Sequence, residues 1–165
     1  MKICTRDAFA SHQYIKEYSY QLESDTVQDI CSLGETPFVD VTAVISSNSG
    51  VVTCEMHIQA TFQVTCSRCL KQFEYPFDVT VKKIVCDKDE GGYDDVIYVD
   101  GGYFFDLSEE VRTQIYFEFP MKPLCDSDCK GLCPVCGCDL NTQTCSCDIR
   151  TTDPRLAVLK NLIDK

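Results

Sequence analysis

Two long runs of alternating apolar and polar residues occupy the middle of the chain. From Val52 to residue 65 every second position is apolar and the positions between are polar. After a Cys66-x-x-Cys69 motif the alternation resumes over residues 73–81. Since successive side chains of a strand point to opposite faces of a sheet, each run predicts a half-buried strand. The two strands would form a β-hairpin with the cysteine pair at its tip.

Weaker patterns predict the other strands. Residues 39–45 alternate and are followed by the polar segment 46–50, which predicts a strand and then a turn. We also predict a strand over 13–22, although most of the first 35 residues shows no clear period. The acidic segment 87–102 contains two Gly-Gly pairs and predicts a loop, a short strand at 96–99 and a turn.

A helix is predicted near residues 107–119. Asp106 and Glu109 have the spacing of a capping box, and Pro120 would end the helix. One apolar stripe runs along it, formed by Leu107, Val111, Ile115 and Phe119. We assign the neighbouring aromatic residues to the core rather than to a base-stacking surface: Tyr103, Phe104, Phe105, Tyr116 and Phe117.

A second helix is predicted at the C-terminal end, where Asp153 suits the N-cap and Pro154 the first helical position. The predicted fold class is therefore α+β: an antiparallel β-sheet, with a barrel-like closure as an alternative, and two helices. We expect a β-rich domain with the acidic loop and first helix over 1–124. Residues 125–165 would add a zinc-knuckle segment and the C-terminal helix, packed on the same domain.

The chain of 165 residues contains 13 cysteines. No apolar stretch is long enough to cross a membrane, and the first residues lack the apolar segment of a signal peptide. We therefore expect a cytoplasmic protein without membrane contact. In that compartment thiols stay reduced, and paired cysteines more often bind metal than form disulfides.

The C-terminal cysteines have the spacing of a zinc site. Cys133-Pro-Val-Cys136-Gly allows two thiolates to face one ion, and the glycine allows the left-handed turn that this geometry needs. A Cys-x-Cys pair, Cys145 and Cys147, follows after a loop. The hairpin-tip pair could join Cys125 and Cys129 in a second four-thiolate site. Alternatively, all the pairs could mix within one site and leave some thiols free.

Catalytic patterns are absent from the sequence. A redox Cys-x-x-Cys pair usually lies at a helix N-terminus, whereas the pair here lies on a predicted hairpin. His57 lies on the predicted exposed face of a strand, and no phosphate-binding loop or nucleophile motif occurs. We therefore expect no enzyme and no small-molecule substrate, with thiol oxidoreduction as a competing hypothesis.

Two motifs resemble those of one known family. Cys66-Ser-Arg-Cys-Leu70, followed by Phe73, Tyr75 and Pro76, resembles the central signature of the YceD family of large ribosomal RNA subunit accumulation proteins. Residues 123–141 and 153–157 resemble its cysteine-containing branch. The resemblance implies a non-enzymatic ribosome biogenesis factor of bacteria or plastids, needed for accumulation of large-subunit (23S) ribosomal RNA. It also implies structural zinc, for which there are eight candidate ligands. Eight ligands divide into two sites of four: Cys66, Cys69, Cys125, Cys129, Cys133, Cys136, Cys145 and Cys147.

The net charge of −11 is uneven, because residues 87–118 hold ten acidic and two basic residues. Such a surface attracts basic partners and repels phosphate, so we expect a basic ribosomal protein or the pre-ribosomal large subunit as the partner. Its predicted contacts are Asp94, Asp95 and Asp100. A small basic patch could instead touch RNA locally or merely neutralise thiolates: Arg68, Lys71, Lys122 and Lys130. A generic zinc-stabilised interaction module without a ribosomal role is the alternative function.

Overall fold

The computed structural model describes residues 1–22, 38–87, 95–99 and 101–147. Seven strands and two helices lie in these ranges. The strands are β1 (Lys2–Cys4), β2 (Gln13–Leu22), β3 (Val39–Asn48), β4 (Val51–Thr65), β5 (Gln72–Cys86), β6 (Val96–Tyr98) and β7 (Phe104–Asp106). The helices are α1 (Arg6–Ala10) and α2 (Leu107–Glu118). The predicted C-terminal helix lies outside the described residues.

The main sheet has five strands in the order β2-β3-β4-β5-β6, and β1 pairs with β7 in a separate two-stranded sheet. All neighbours in the main sheet are antiparallel except β5 and β6, which are parallel. Within the described ranges β2 and β6 remain the two edges of an open sheet. The α+β class is thus confirmed, and the barrel-like alternative is not supported.

The predicted alternation produces the two long strands β4 and β5, which pair from Val52 opposite Val85 to Thr65 opposite Gln72. This hairpin carries the Cys66-x-x-Cys69 motif at its tip, as predicted. The shorter β3–β4 connection is a two-residue turn, Ser49-Gly50, with φ of 54° and 85°. Positive φ at both turn residues matches the right-handed twist of the flanking strands.

The hydrophobic core joins the main sheet to β1, α1 and α2. Leu107, Val111 and Ile115 of α2 are fully buried in the same core as the inward residues of β3 and β4. An ion pair joins the helix to the sheet, since Lys83 Nζ lies 3.1 Å from Glu110 Oε2. Lys83 is only 6% exposed, so this charge depends on its carboxylate partner.

Both ends of α2 are well defined. Asp106 is the N-cap, and its carboxylate accepts a hydrogen bond from the Ser108 backbone N–H at 3.0 Å. The cap bond therefore goes to Ser108 and not to the predicted capping-box position, Glu109. At the other end Phe119 packs edge-on against Phe62, with ring centroids 5.4 Å apart. This contact fixes the point from which the chain turns toward the hairpin tip.

Two aromatic residues of α2 depart from the sequence prediction. Tyr116 and Phe117 are 70% and 69% exposed, so their assignment to the core was wrong. They lie off the stripe that Leu107 and Ile115 define, because neighbouring helical positions are rotated by about 100°. Phe104 is also exposed, whereas Phe105 is buried as predicted. Neither helix in the described part of the chain is long and apolar enough to cross a membrane.

Candidate metal centres

The tip of the β4–β5 hairpin is a tight knuckle built on Cys66. The Leu70 N–H donates to the Cys66 carbonyl at 3.0 Å, and the Cys66 N–H donates to the Lys71 carbonyl at 2.9 Å. The Arg68 backbone N–H points at the Cys66 sulfur, 3.5 Å away. Leu70 adopts a left-handed conformation with φ of 60°. These bonds turn Cys66 and Cys69 toward the same side of the tip.

The same hydrogen-bond pattern recurs at Cys133. The Gly137 N–H donates to the Cys133 carbonyl at 2.8 Å, and the Cys133 N–H donates to the Cys138 carbonyl at 2.9 Å. The Val135 N–H lies 3.5 Å from the Cys133 sulfur. Gly137 has a φ of 74°, as the sequence predicted for the glycine after the second cysteine. The molecule therefore contains two knuckles of one design, one with glycine and one with leucine at the left-handed position.

Eight of the cysteines come together in two groups of four. In each group the four sulfur atoms all lie within 4.8 Å of one another. We name the group from the hairpin tip and the following segment the hairpin cluster: Cys66, Cys69, Cys125 and Cys129. The second group, the loop cluster, consists of Cys133, Cys136, Cys145 and Cys147. This grouping matches the two-site alternative and not the single mixed site.

The sulfur geometry of the hairpin cluster fits a tetrahedral metal ion. Four sulfurs about 2.3 Å from one zinc ion lie about 3.8 Å apart at tetrahedral angles. The sulfurs of Cys66 and Cys129 are 3.8 Å apart, and those of Cys69 and Cys125 are 3.5 Å apart. A disulfide would require about 2.05 Å. The described cysteines are all free thiols, so both clusters could hold a metal ion.

Electrostatics in the hairpin cluster also favour a cation. Burial acts to raise the pKa of Cys66, but backbone hydrogen bonds, that from Cys125 above all, outweigh it and lower the pKa to about 6. The neighbouring thiol of Cys69, together with burial, raises the pKa of Cys125 to about 12. The protein thus stabilises one thiolate, while the neighbouring sulfur atoms make deprotonation of the other thiols unfavourable. A divalent cation removes this cost, because it binds all four thiolates and offsets their negative charge.

The loop cluster repeats this division. Hydrogen bonds from the backbone N–H groups of Cys136 and Val135 lower the pKa of Cys133 to about 6. The Cys136 thiol, together with burial, raises the pKa of Cys147 to about 12. Each knuckle therefore supplies one ready thiolate, the sulfur toward which its backbone amides point. Both clusters have the soft, four-sulfur donor set that zinc prefers in structural sites.

The C-terminal segment is fixed to the hairpin tip by backbone contacts as well as by sulfur. The Ser67 N–H donates to the Pro123 carbonyl at 2.9 Å, and the Leu132 N–H donates to the Arg68 carbonyl at 3.2 Å. The Arg68 guanidinium donates to the Cys129 carbonyl at 2.8 Å. Sequence reasoning placed Arg68 in a partner-binding patch. The structure adds a contact that no sequence signal indicated, because its exposed side chain also joins the hairpin tip to the segment that carries Cys129.

The other predicted partner residues are exposed where the structure describes them. Lys71 and Lys130 are exposed, and Asp95 is exposed at the start of β6. Asp94 and Asp100 lie outside the described residues. The partner role of these five residues and of Arg68 therefore stays a prediction.

Two cysteines outside the clusters differ in their surroundings. Cys54 is fully buried in the core, as expected, and burial raises its pKa to about 12, which leaves it an inert thiol. Cys138 lies beside the thiols of Cys136 and Cys145 but is not one of the four sulfurs of the loop cluster. This proximity was not anticipated, because Cys138 has no paired spacing.

A family model described as "Large ribosomal RNA subunit accumulation protein YceD" matches residues 54–163. An Arabidopsis thaliana protein named "Large ribosomal RNA subunit accumulation protein YCED homolog 1, chloroplastic" is 37% identical over 57 residues, covering 34% of this chain and 18% of the plant protein. An uncharacterized Mycobacterium leprae protein is 32% identical over 109 residues, covering 66% of this chain and 45% of that protein. The uncharacterized protein YlbN of Bacillus subtilis is 28% identical over 114 residues, covering 68% and 66% of the two chains.

The chain thus spans less than half the length of the plant and mycobacterial relatives over the matched regions. No solved structure gives a significant match. The family match includes both clusters, since it begins in β4 and extends past the last cysteine.

Proposed function

This chain belongs to the YceD family, and from that premise we propose that it is a non-enzymatic ribosome biogenesis factor needed for accumulation of large-subunit ribosomal RNA. The single observation that carries the proposal is the family match over residues 54–163. The name of the Arabidopsis relative refers to the same activity. We propose the cytoplasm as the site of action.

The role proposed for metal in this protein is structural. The hairpin cluster joins the tip of β4–β5 to residues 125–129, which are more than 50 positions away in sequence. When bound, zinc would supply two positive charges and four bonds to sulfur, leaving no open position for a substrate. Metal binding would therefore stabilise the C-terminal segment on the sheet and shape the surface around the hairpin tip.

The surroundings of the cysteine pairs argue against thiol redox catalysis. Cys66 and Cys69 lie on a β-hairpin turn that leads directly into β5, and the backbone amides that lower the pKa of Cys66 come from the knuckle and from Cys125 rather than from a helix N-terminus. The Cys66–Cys69 pair and the Cys133–Cys136 pair each have two further sulfur atoms close enough to bind the same metal ion. A redox pair needs accessible sulfurs that can form a disulfide with one another, whereas four grouped thiolates favour metal binding.

We further propose that the partner is a basic ribosomal protein or the pre-ribosomal large subunit, approached through the acidic stretch 87–118. Local RNA contact at the knuckles is the weaker candidate, because the basic patch holds only four exposed residues: Arg68, Lys71, Lys122 and Lys130. Four phosphate contacts give a log–log salt slope of only about −3 to −4.

The function is tested in a depletion strain complemented with variants. The wild-type chain is expected to restore large-subunit ribosomal RNA, whereas paired Cys133→Ser and Cys136→Ser substitutions are expected to restore little. Cys54→Ser is the matched control, because Cys54 is buried in the core and away from both clusters. Normal ribosomal RNA levels after depletion would contradict the ribosomal role and favour a generic interaction module. Thiol-dependent reduction of insulin by the purified chain would instead favour an oxidoreductase.

The partner surface is tested by two charge variants. Neutralising Asp94, Asp95 and Asp100 together is expected to weaken co-sedimentation with precursor large subunits. Substituting Lys71→Ala with Lys130→Ala is expected to leave it intact. Loss of co-sedimentation in the lysine variant alone would show that the knuckles contact the partner.

A further inference from the structure

One side chain of the loop cluster's connecting segment reaches the other cluster. Asn141 lies between Cys136 and Cys145, yet its amide Nδ2 lies 3.5 Å from the sulfur of Cys129 in the hairpin cluster. The same amide group accepts a hydrogen bond from the Lys130 backbone N–H at Oδ1, 2.7 Å away. Asn141 therefore contacts Cys129 of the hairpin cluster and the next residue, Lys130. Asn141 itself belongs to the loop that connects the cysteines of the loop cluster.

The orientation of this amide is determined by its neighbours. Only an oxygen can accept from the Lys130 N–H, and only the amide nitrogen can donate to Asp139 Oδ1, which lies 2.7 Å from Nδ2. Asp139 Oδ1 also accepts from the Asn141 backbone N–H at 2.9 Å. The hydrogen-bond network thus assigns the nitrogen to the side that faces the Cys129 sulfur.

The backbone supports the same connection. The Leu140 N–H donates to the Gly131 carbonyl at 2.9 Å. Leu132 and Asp139 form an isolated antiparallel bridge. The loop 137–144 is consequently laid against residues 130–132, the short link between Cys129 and Cys133. Any change that displaces this loop also displaces Asn141 from Cys129.

From this geometry we propose that Asn141 couples the two metal centres: metal in the loop cluster orders the loop, and the loop places Asn141 where it stabilises the Cys129 thiolate. The proposal rests on the metal binding put forward above. Asn141 is a positioning residue that touches a ligand and not the metal. A hydrogen bond to a ligating atom holds that ligand in place and favours its charged form.

Loss of such an outer contact typically weakens metal affinity by about 10- to 100-fold. The Asn141 side chain is exposed, so we expect a loss of about tenfold, at the lower end of that range. Linkage makes the coupling reciprocal, so metal in the hairpin cluster raises the affinity of the loop cluster by the same factor.

The experiment uses the full chain and cadmium-113, whose NMR signal reports each four-thiolate site separately. Competition with a chelator gives the affinity of the hairpin cluster in four chains. These are the wild type, Asn141→Leu, a chain whose loop cluster is disabled by Cys136→Ser with Cys147→Ser, and the combination. Gln143→Leu is the matched control, since Gln143 lies on the same loop and is exposed, and its side chain makes no hydrogen bond among the described residues.

We expect each single change to lower the hairpin cluster's affinity by about tenfold, with no further loss when the two are combined. Asn141→Asp should lower the affinity more than Asn141→Leu, because it keeps the oxygen that accepts from the Lys130 N–H but places a negative charge beside Asp139 and the Cys129 sulfur. An affinity equal to the wild type in this variant would contradict the contact with sulfur. Gln143→Leu should change nothing.

Two outcomes would overturn the coupling. Multiplied losses in the combined chain would mean that the clusters influence each other without Asn141. An unchanged affinity in Asn141→Leu would mean that the contact is without effect. Failure of the wild-type chain to bind two metal ions would instead overturn the metal centres themselves, and the coupling with them.

Discussion

Gly131 lies where the segment that joins the two clusters passes close to the hairpin tip, and Gly131→Ala should be unusually destabilising. The residue is buried and has a φ of 75°, in the left-handed region that side chains rarely adopt. A Cβ added here would lie 3.0 Å from the Arg68 carbonyl oxygen and 3.2 Å from the Arg68 Cβ. Both neighbours belong to the knuckle, so the knuckle would have to move.

The magnitude follows from three contributions. The left-handed conformation costs a residue with a Cβ about 1–2 kcal/mol. The unfolded chain loses entropy when glycine becomes alanine, which offsets roughly 0.4–1 kcal/mol of that cost. Displacement of the Arg68 carbonyl would also lengthen its hydrogen bond with the Leu132 N–H, worth about 1 kcal/mol. We expect Gly131→Ala to lower the free energy of unfolding by about 2 kcal/mol.

Gly50→Ala is the matched control. Gly50 also has a positive φ, 85°, but a Cβ there would meet nothing within 4 Å. Its expected cost is only the conformational part, about 1 kcal/mol. Urea unfolding of the reduced, metal-loaded chains, followed by circular dichroism, measures both variants. If Gly131→Ala costs no more than Gly50→Ala, then the close approach of the two segments is not a stabilising contact and the reasoning is refuted.

Three further predictions concern other parts of the molecule. Leu70→Gly should stabilise the chain by about 0.5 kcal/mol in urea unfolding, since it relieves a left-handed leucine that is 64% exposed; a clear loss of stability would contradict this. Glu110→Gln should cost about 2 kcal/mol by leaving Lys83 without its partner, and adding Lys83→Met should recover part of that loss in a double-mutant cycle; additive losses would argue against the pair. Cys133→Ser should remove one metal equivalent in elemental analysis while Cys54→Ser keeps two, and equal loss in both would contradict the loop cluster.

Local sequence signals were sufficient for the long elements of this fold. Strict alternation predicted β4 and β5 and the hairpin tip between them, because the period of a strand is a property of the backbone alone. The apolar stripe predicted α2, although the same helix shows where residue type misleads. Tyr116 was assigned to the core for being aromatic, whereas its position on the helix places it in solvent.

The candidate site divides in the same way. Spacing and residue type identified the cysteine pairs and the glycine of the second knuckle, since a four-residue turn toward a metal needs both. Only the tertiary structure decided how the pairs combine, that Arg68 donates to the Cys129 backbone carbonyl, and that Asn141 reaches a sulfur of the other cluster. Each of these depends on how segments far apart in sequence are brought together, or on the direction in which the chain leaves a turn. A short pattern contains no information about such placements, because they are set by the packing of the whole sheet and its connections.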